Sequence, residues 1–133
     1  MNIKEFAEKF IKAEYEAFHE GKFESLQKLE DPDVTYHQLS LGVELKGFEA
    51  HKQQISSLRQ AAPGVRIEFE YVTGDGNVFS AIFKTAGARF TGEAPGLPPP
   101  TGKELTAHSL YVFRLNKGRL AEVWSIGTVT GLT

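Results

Sequence analysis

The last third of the chain, residues 96–132, constrains the fold most, because it predicts two long strands that follow each other directly. A proline-rich loop is followed by one strand, the tight turn Asn116-Lys117-Gly118 and a second strand. Predicted strands of about ten residues or more exceed the usual length of roughly 5–6. Two such strands after a rigid loop indicate a curved antiparallel sheet that wraps around something.

The start of the chain predicts a long helix. Apolar residues recur there at helical spacing, and they are Ile3, Phe6, Phe10, Ala17 and Phe18. Asn2, with Glu5 three residues later, forms a capping-box-like beginning. Gly21 is expected to end the helix in a left-handed conformation, which favours glycine.

The order of the remaining elements predicts an α+β fold. These elements are a short helix over 23–29, strands over 34–38 and 43–45, a long helix over 48–61, and strands over 65–71 and 78–89. Helices first and a four-stranded meander afterwards favour α+β over alternating βαβ units. We expect a cone-shaped, mainly antiparallel sheet packed against about three helices, with a ligand pocket between the first helix and the concave side.

Size and composition exclude several classes of protein. The 133 residues, of which 41% are hydrophobic and 24% charged, predict one globular domain over 1–133. A net charge of −2 argues against a nucleic-acid partner, since phosphate binding needs clustered Lys and Arg. There is no cysteine for thiolate chemistry or disulfides. No stretch reads as a signal peptide or a membrane span, so we expect a cytoplasmic protein without a membrane partner.

Several motifs together resemble a known family. They are a Gly-x-Pro-Pro-x-Thr-Gly-Lys loop ending at Lys103, the pair Phe113-Arg114, the pair Gly118-Arg119, Glu122-Val123-Trp124 and Gly131-Leu132. This set of motifs is similar to the C-terminal signature of SnoaL-like polyketide cyclases. Those proteins belong to the cystatin-like superfamily of nuclear transport factor two and ketosteroid isomerase. The resemblance implies the same α+β cone.

The resemblance also exposes two departures at expected acid/base positions. In the similar cyclases, the residue aligned with Thr128 is an Asp that serves intramolecular aldol ring closure. The similar cyclases also tend to carry a His in a Thr-His-Thr-Gly stretch before the proline-rich loop. This chain has Arg89-Phe90-Thr91-Gly92 there, without a histidine. Two hypotheses follow. The chain is a cofactor-independent acid/base enzyme of cyclase or isomerase type acting on a hydrophobic carbonyl or polycyclic compound, or it is a small-molecule binding protein that has lost the catalytic Asp.

Three titratable residues remain as candidate catalytic groups, namely His37, His108 and Glu122. A histidine in an apolar pocket suits acid/base chemistry, because its reference pKa of about 6.5 lies close to neutral. The alternative for each histidine is a hydrogen-bonded structural role, and for Glu122 it is pairing with Lys or Arg. His51, on the apolar stripe of a helix, is expected to be structural, and His19 to be an exposed cation near a helix end.

A set of mainly aromatic residues is predicted to line or rim the pocket. The set is Tyr15, Phe18, Tyr36, Arg89, Trp124 and Thr128. Trp124 and Thr128 share one strand face by the period of two, so they stand on the same side of the sheet. The alternative for the aromatic residues is ordinary core. No metal-ligand spacing occurs, so neither a metal nor another cofactor is expected.

The two strands over 78–88 and 105–115 are apolar on both faces. Such strands need cover on both sides. We therefore predict a homodimer that buries the outer face of the sheet, as relatives of the family commonly do.

Overall fold

Six strands form one curved open sheet, and helices pack on one of its faces. The computed structural model describes residues 2–133. The helices are α1 (Ile3–Tyr15), α2 (Glu24–Leu29) and α3 (Phe48–Ala61), with a π-helical turn over Glu16–Glu20 and a 3₁₀ turn over Leu39–Leu41. The strands are β1 (Glu30–Gln38), β2 (Val43–Lys46), β3 (Arg66–Asp75), β4 (Val78–Ala86), β5 (Thr106–Asn116) and β6 (Arg119–Thr130).

The strand order across the sheet is β2-β1-β6-β5-β4-β3. Strands β3 to β6 form the predicted antiparallel meander, and β1 pairs in parallel with β6. This confirms the α+β class with a mixed, mainly antiparallel sheet. Within residues 2–133, no helix is both long enough and apolar enough to cross a membrane.

The first helix begins and ends as its sequence predicts. The Asn2 side chain accepts a hydrogen bond from the Glu5 amide at 2.9 Å and donates one to the Glu5 carboxylate at 3.1 Å. These bonds satisfy first-turn groups that have no partner inside the helix. Gly21 ends the π-helical turn with φ of 69°, a conformation that costs residues with a Cβ more.

The closing hairpin confirms the most constraining sequence feature. Strands β5 and β6 have 11 and 12 residues. Lys117 and Gly118 have φ of 53° and 77°, so both central residues of the turn are left-handed. Turns of this kind match the right-handed twist of the strands that they join.

Aromatic side chains fill the space between α1 and the sheet. The Phe10 ring lies 4.9 Å from that of Phe113 and 6.1 Å from that of Phe69, and Phe18 lies 5.9 Å from Phe83. Edge-to-face pairs of this kind contribute about 0.5–1.5 kcal/mol each beyond their buried area. The first helix therefore covers the sheet as predicted, and it does so through a packed aromatic core.

Three strand boundaries differ from the sequence prediction by three residues or more, and one of them is the end of β3, which lies at Asp75 instead of residue 71. Strand β1 begins at Glu30, four residues before the predicted Val34, and Glu30 is 1% exposed. Strand β4 ends at Ala86, and Arg89 lies beyond it in an isolated bridge with Glu104. The early start of β1 brings a carboxylate into the interior that no sequence pattern indicated.

The predicted exposed cation His19 instead caps the edge of the sheet. Its Nε2 accepts a hydrogen bond from the Ile67 amide of edge strand β3 at 2.9 Å, so the ring is neutral. Burial and the nearby Arg66 lower the pKa of His19. Tyr15, stacked on the same ring at 5.5 Å, accepts from the next outward amide, that of Phe69, at 3.0 Å. The helix thereby occupies backbone groups that would otherwise be free to pair with another strand.

Candidate functional site

Three ionisable side chains from three different elements meet in the interior. They are Glu14 of α1, Glu30 at the start of β1 and His51 of α3, and they are 2%, 1% and 5% exposed. The His51 ring stands between the two carboxyl groups. Its Nδ1 lies 2.8 Å from Oε2 of Glu30, and its Nε2 lies 3.6 Å from Oε1 of Glu14. We call these three residues the buried triad.

Helical periodicity explains why two members of the triad point inward. Glu14 lies four residues after Phe10 and four before Phe18, and both phenylalanines are buried. His51 lies between Phe48 and Ile55, which are buried as well. Side chains four residues apart share one face of a helix, so the faces that pack on the sheet carry both groups into the core.

Tyr36 of β1 fixes the orientation of the triad. Its hydroxyl donates to Oε2 of Glu30 at 2.9 Å, and its ring stacks on His51 with the centroids 4.1 Å apart. The Glu30 carboxylate thus accepts from both Tyr36 and His51. Because Nδ1 contacts Glu30, Nε2 is the nitrogen that faces Glu14, 3.6 Å from its Oε1.

The interior environment raises the pKa of two of these groups. Burial raises the pKa of Glu14 to about 7, with the positive His51 lowering it and the negative Glu30 raising it further. Burial alone would lower the pKa of His51, but the charge and hydrogen bond of Glu30 and the charge of Glu14 outweigh that effect and raise it. A carboxyl group that titrates near neutral pH beside an imidazole can both take and return a proton.

Two phenols complete the surroundings of the triad. Burial, followed by the charge of Glu30, raises the pKa of Tyr36 well above its usual value. Burial and then the charge of Glu14 raise that of Tyr111, whose ring on β5 packs 5.6 Å from that of Phe69. Both phenols therefore remain protonated at neutral pH, and the Tyr36 hydroxyl donates to the triad.

The triad also has the residue types of a metal site. One ligand atom from each of Glu14, Glu30 and His51 lies within 4.8 Å of the others. Glu30 contacts Nδ1 of the ring, whereas Glu14 lies nearest to Nε2. A cation on Nε2 would therefore be held by His51 and Glu14, while Glu30 held the ring. Held in this way, the cation would have two protein ligands, fewer than the three or four that structural and catalytic ions take.

The structure brings His37 and Glu122 together, but on the other side of the sheet. His37 Nε2 lies 2.7 Å from Oε2 of Glu122, and Nδ1 lies 3.1 Å from Oε2 of Glu44. Arg114 donates to Glu122 at 3.1 Å, and Trp124 stacks on His37 at 5.6 Å. The hydrogen bond between His37 and Glu122 raises the pKa of His37 and lowers the pKa of Glu122. Glu122 thus pairs with an arginine, as expected from the alternative hypothesis that its role is structural and not catalytic.

The predicted placement of five site residues beside the first helix is wrong. They are His37, His108, Glu122, Trp124 and Thr128. Strand alternation is the reason: buried Tyr36, Phe113 and Val123 face the helices, so their chain neighbours face away. Thr128 and His108 are exposed and pair across β5 and β6.

The other predicted residues have separate positions. Tyr36 belongs to the surroundings of the buried triad, and Phe18 belongs to the aromatic core. Tyr15 lines a cavity of about 290 Å³ at the β3 edge, together with Glu68 and Lys84. Arg89 is exposed and donates to the Gly102 carbonyl at 3.0 Å.

Sequence reasoning missed Glu14 and Glu30 and assigned His51 a structural role. A signal for Glu14 existed, because a glutamate midway between two phenylalanines at four-residue spacing lies on the apolar stripe. Glu30 had no such signal, since it lies at the junction between α2 and β1.

Comparisons with known proteins agree with this architecture. A family model described as SnoaL-like polyketide cyclase matches residues 8–132. Among solved structures, a candidate polyketide cyclase from Acidithiobacillus ferrooxidans is 26% identical, with a TM-score of 0.63, and the match covers 96% of this chain and 91% of that one. IdmH, a candidate polyketide cyclase from Streptomyces antibioticus, is 21% identical, with a TM-score of 0.66 and coverage of 93% and 90%.

A third solved structure shares the fold at still lower identity. An NTF2-like protein from Anabaena variabilis is 13% identical, with a TM-score of 0.72 and coverage of 96% and 90%. No curated protein matches the chain.

Proposed function

Because the chain belongs to the SnoaL-like polyketide cyclase family, we propose that it is a cofactor-independent acid/base catalyst acting on a small apolar carbonyl compound. Membership supports a small-molecule-binding, cyclase or isomerase role. The observation that carries the catalytic proposal is the buried triad, in which His51 stands between Glu30 and a Glu14 whose pKa is raised to about 7.

Each member of the triad has a role in this proposal. The Glu14 carboxylate takes a proton from the carbon next to the carbonyl group, and the electron pair of that C–H bond enters an enolate. Glu14 or His51 returns a proton to carbon or oxygen, which completes an isomerisation or prepares ring closure. Glu30 and Tyr36 are positioning residues that hold the ring. Because Glu14 is 2% exposed, substrate entry requires a shift of α1.

The test is proton exchange, which needs no knowledge of the natural substrate. In D₂O, the wild-type protein is expected to accelerate loss of the α-proton NMR signals of 1-tetralone or 4-methylacetophenone. His51→Gln and Glu14→Gln should each slow this exchange by about 10²–10⁴-fold, the usual contribution of a positioned acid/base group. His37→Gln is the matched control, because His37 also lies between two carboxylates but on the outer face, and it should keep wild-type exchange.

The binding-only alternative rests on Thr128, which stands where the resembled cyclases carry their catalytic Asp. It predicts that ketones bind, as seen by amide shifts, without faster exchange in the wild-type protein. If exchange is slowed by His37→Gln and not by His51→Gln, the catalytic groups lie on the outer face of the sheet, and the buried triad is not the catalytic site.

We further propose that a second copy of the chain covers the outer face of the sheet. Leu110 of β5 and Ile126 of β6 are cross-strand partners, and they are 44% and 59% exposed. Half-buried Ile82 of neighbouring β4 pairs with Leu110 on its other side. A contiguous apolar surface on adjacent strands is typical of an interface, and a twofold contact matches like surface to like.

Light scattering is expected to give twice the 14.7 kDa of one chain at micromolar concentration. Ile126→Lys should raise the dimer dissociation constant at least about tenfold, because it places a charge in an apolar interface. Gln27→Lys adds the same charge on exposed α2 and should leave the dimer unchanged. A wild-type protein that scatters as one chain would refute the dimer.

A further inference from the structure

A basic groove lies between α1 and α2, outside the buried triad. It has a volume of about 230 Å³, and its lining includes Lys9, Lys12, Lys28 and Ser25. Glu16 is the carboxylate in this lining. We call this cavity the lysine groove.

Helix geometry explains why the three lysines line the same groove. Lys9 and Lys12 are three residues apart on α1, so they share one face of that helix. Lys28 comes from the last turn of α2, which packs against α1. In the part of the chain that the structure describes, the Lys-to-carboxylate ion pairs use other lysines, Lys22 and Lys46.

The charge of the groove differs from that of the molecule. Three cationic side chains and one anionic side chain line it, whereas the whole chain has a net charge of −2. Its lining also contains apolar Ala13 and Leu29. A concave surface lined by three lysines, a serine and apolar residues suits an organic anion better than a free inorganic ion.

We propose that the lysine groove binds the carboxylate or phosphate group of a small organic molecule. The ammonium groups attract the anion, the Ser25 hydroxyl donates to one of its oxygens, and Ala13 and Leu29 contact the apolar part of the ligand. This deepens the proposed function, because it adds an anionic group to the substrate class.

The chain itself links the groove to the triad. Ala13 directly precedes Glu14, and Leu29 directly precedes Glu30. The groove is therefore lined by the residue that precedes each interior carboxylate, and it shares helix α1 with Glu14. The groove also lies against α1, the helix that must move for a substrate to reach Glu14.

Amide chemical-shift titrations test the groove without reference to activity. The anionic probes are 4-acetylbenzoate and phenyl phosphate, and 4-methylacetophenone is the uncharged control. Both anions are expected to shift amides around Ala13 and Leu29 with a dissociation constant of about 1 mM or tighter. Binding should weaken between about 20 mM and 500 mM salt, since screening acts on exposed charges.

Two charge-matched triple variants separate the groove from general electrostatics. K9Q/K12Q/K28Q should weaken binding of both anions about tenfold. K22Q/K46Q/K84Q removes the same charge elsewhere and should stay within about twofold of wild type. Equal losses in the two variants, equally tight binding of 4-methylacetophenone, or no shift at 10 mM anion would each overturn the proposal.

The groove and the catalytic proposal can fail separately. Glu14→Gln should bind phenyl phosphate as tightly as wild type does, while losing exchange of the acetyl protons of 4-acetylbenzoate. Anion binding with no exchange in the wild-type protein keeps the groove and rejects the catalytic function. Exchange of 4-acetylbenzoate that is unaffected in K9Q/K12Q/K28Q keeps the catalytic function and rejects the groove as its recognition site.

Discussion

Replacement of His51 by leucine is expected to lower the free energy of unfolding by about 3–5 kcal/mol at pH 7, the usual loss when one partner of a buried ion pair is removed. His51 is the group between the two carboxylates, and Glu30 loses the donor that lies 2.8 Å from it. Leucine fills a similar volume, so the loss arises from unpaired charge and not from a cavity. Urea unfolding measures the change.

Two further variants identify the cause of this loss. His37→Leu removes an imidazole that also contacts two carboxylates, but on the half-exposed outer face, and it should cost about 1 kcal/mol or less. Combining His51→Leu with Glu14→Gln and Glu30→Gln should recover most of the stability, because no charge is then left unpaired. Equal costs for His51→Leu and His37→Leu would show that the triad is not a buried charge cluster.

Glu14→Gln is expected to stabilise the protein at pH 8 by up to about 3 kcal/mol, the free energy that corresponds to its raised pKa. The pKa of Glu14 is raised from 4.5 to about 7 in the folded state. Between these two values the native state binds more protons than the unfolded state, so wild-type stability falls as pH rises. Glutamine cannot ionise, and the variant should lose this part of the decline.

Unfolding free energies at pH 4.5, 6 and 8 check the sign of the effect. Wild type and Glu14→Gln should be nearly equal at pH 4.5 and should diverge towards pH 8. A residual decline in the variant is expected from His51, whose pKa is also raised. Glu8→Gln, an exposed change on the same helix, should track wild type throughout. A variant less stable than wild type at pH 8 would mean that Glu14 is held as a carboxylate.

Local chemistry in the sequence predicted much of the fold. The Asn2–Glu5 cap, the end of the helix at Gly21 and the turn at Lys117-Gly118 all depend on residues within a few positions of each other. Helix α3 occupies the predicted residues Phe48–Ala61 because its apolar periodicity and Pro63-Gly64 beyond it define both limits. The family signature added the cone-shaped arrangement that these elements form.

The candidate site depended on information that is not local. The period of two showed that Trp124 and Thr128 share a face, but not whether the helices cover that face or the opposite one. Strand β6 alternates between buried Val123 and half-buried Trp124, and both are apolar. Apolarity therefore marks both sides of this strand, and hydrophobic pattern alone cannot select the helix-facing one.

The sequence by itself determined the helices, the closing hairpin, the order of the elements and membership of the family, because caps, turns and periodicity act over short distances. Only the tertiary structure decided that His51 meets Glu14 and Glu30. These residues lie on three elements, 37 and 21 positions from His51. The raised pKa of Glu14 follows from that meeting, since burial and neighbouring charge arise only when the helices pack on the sheet.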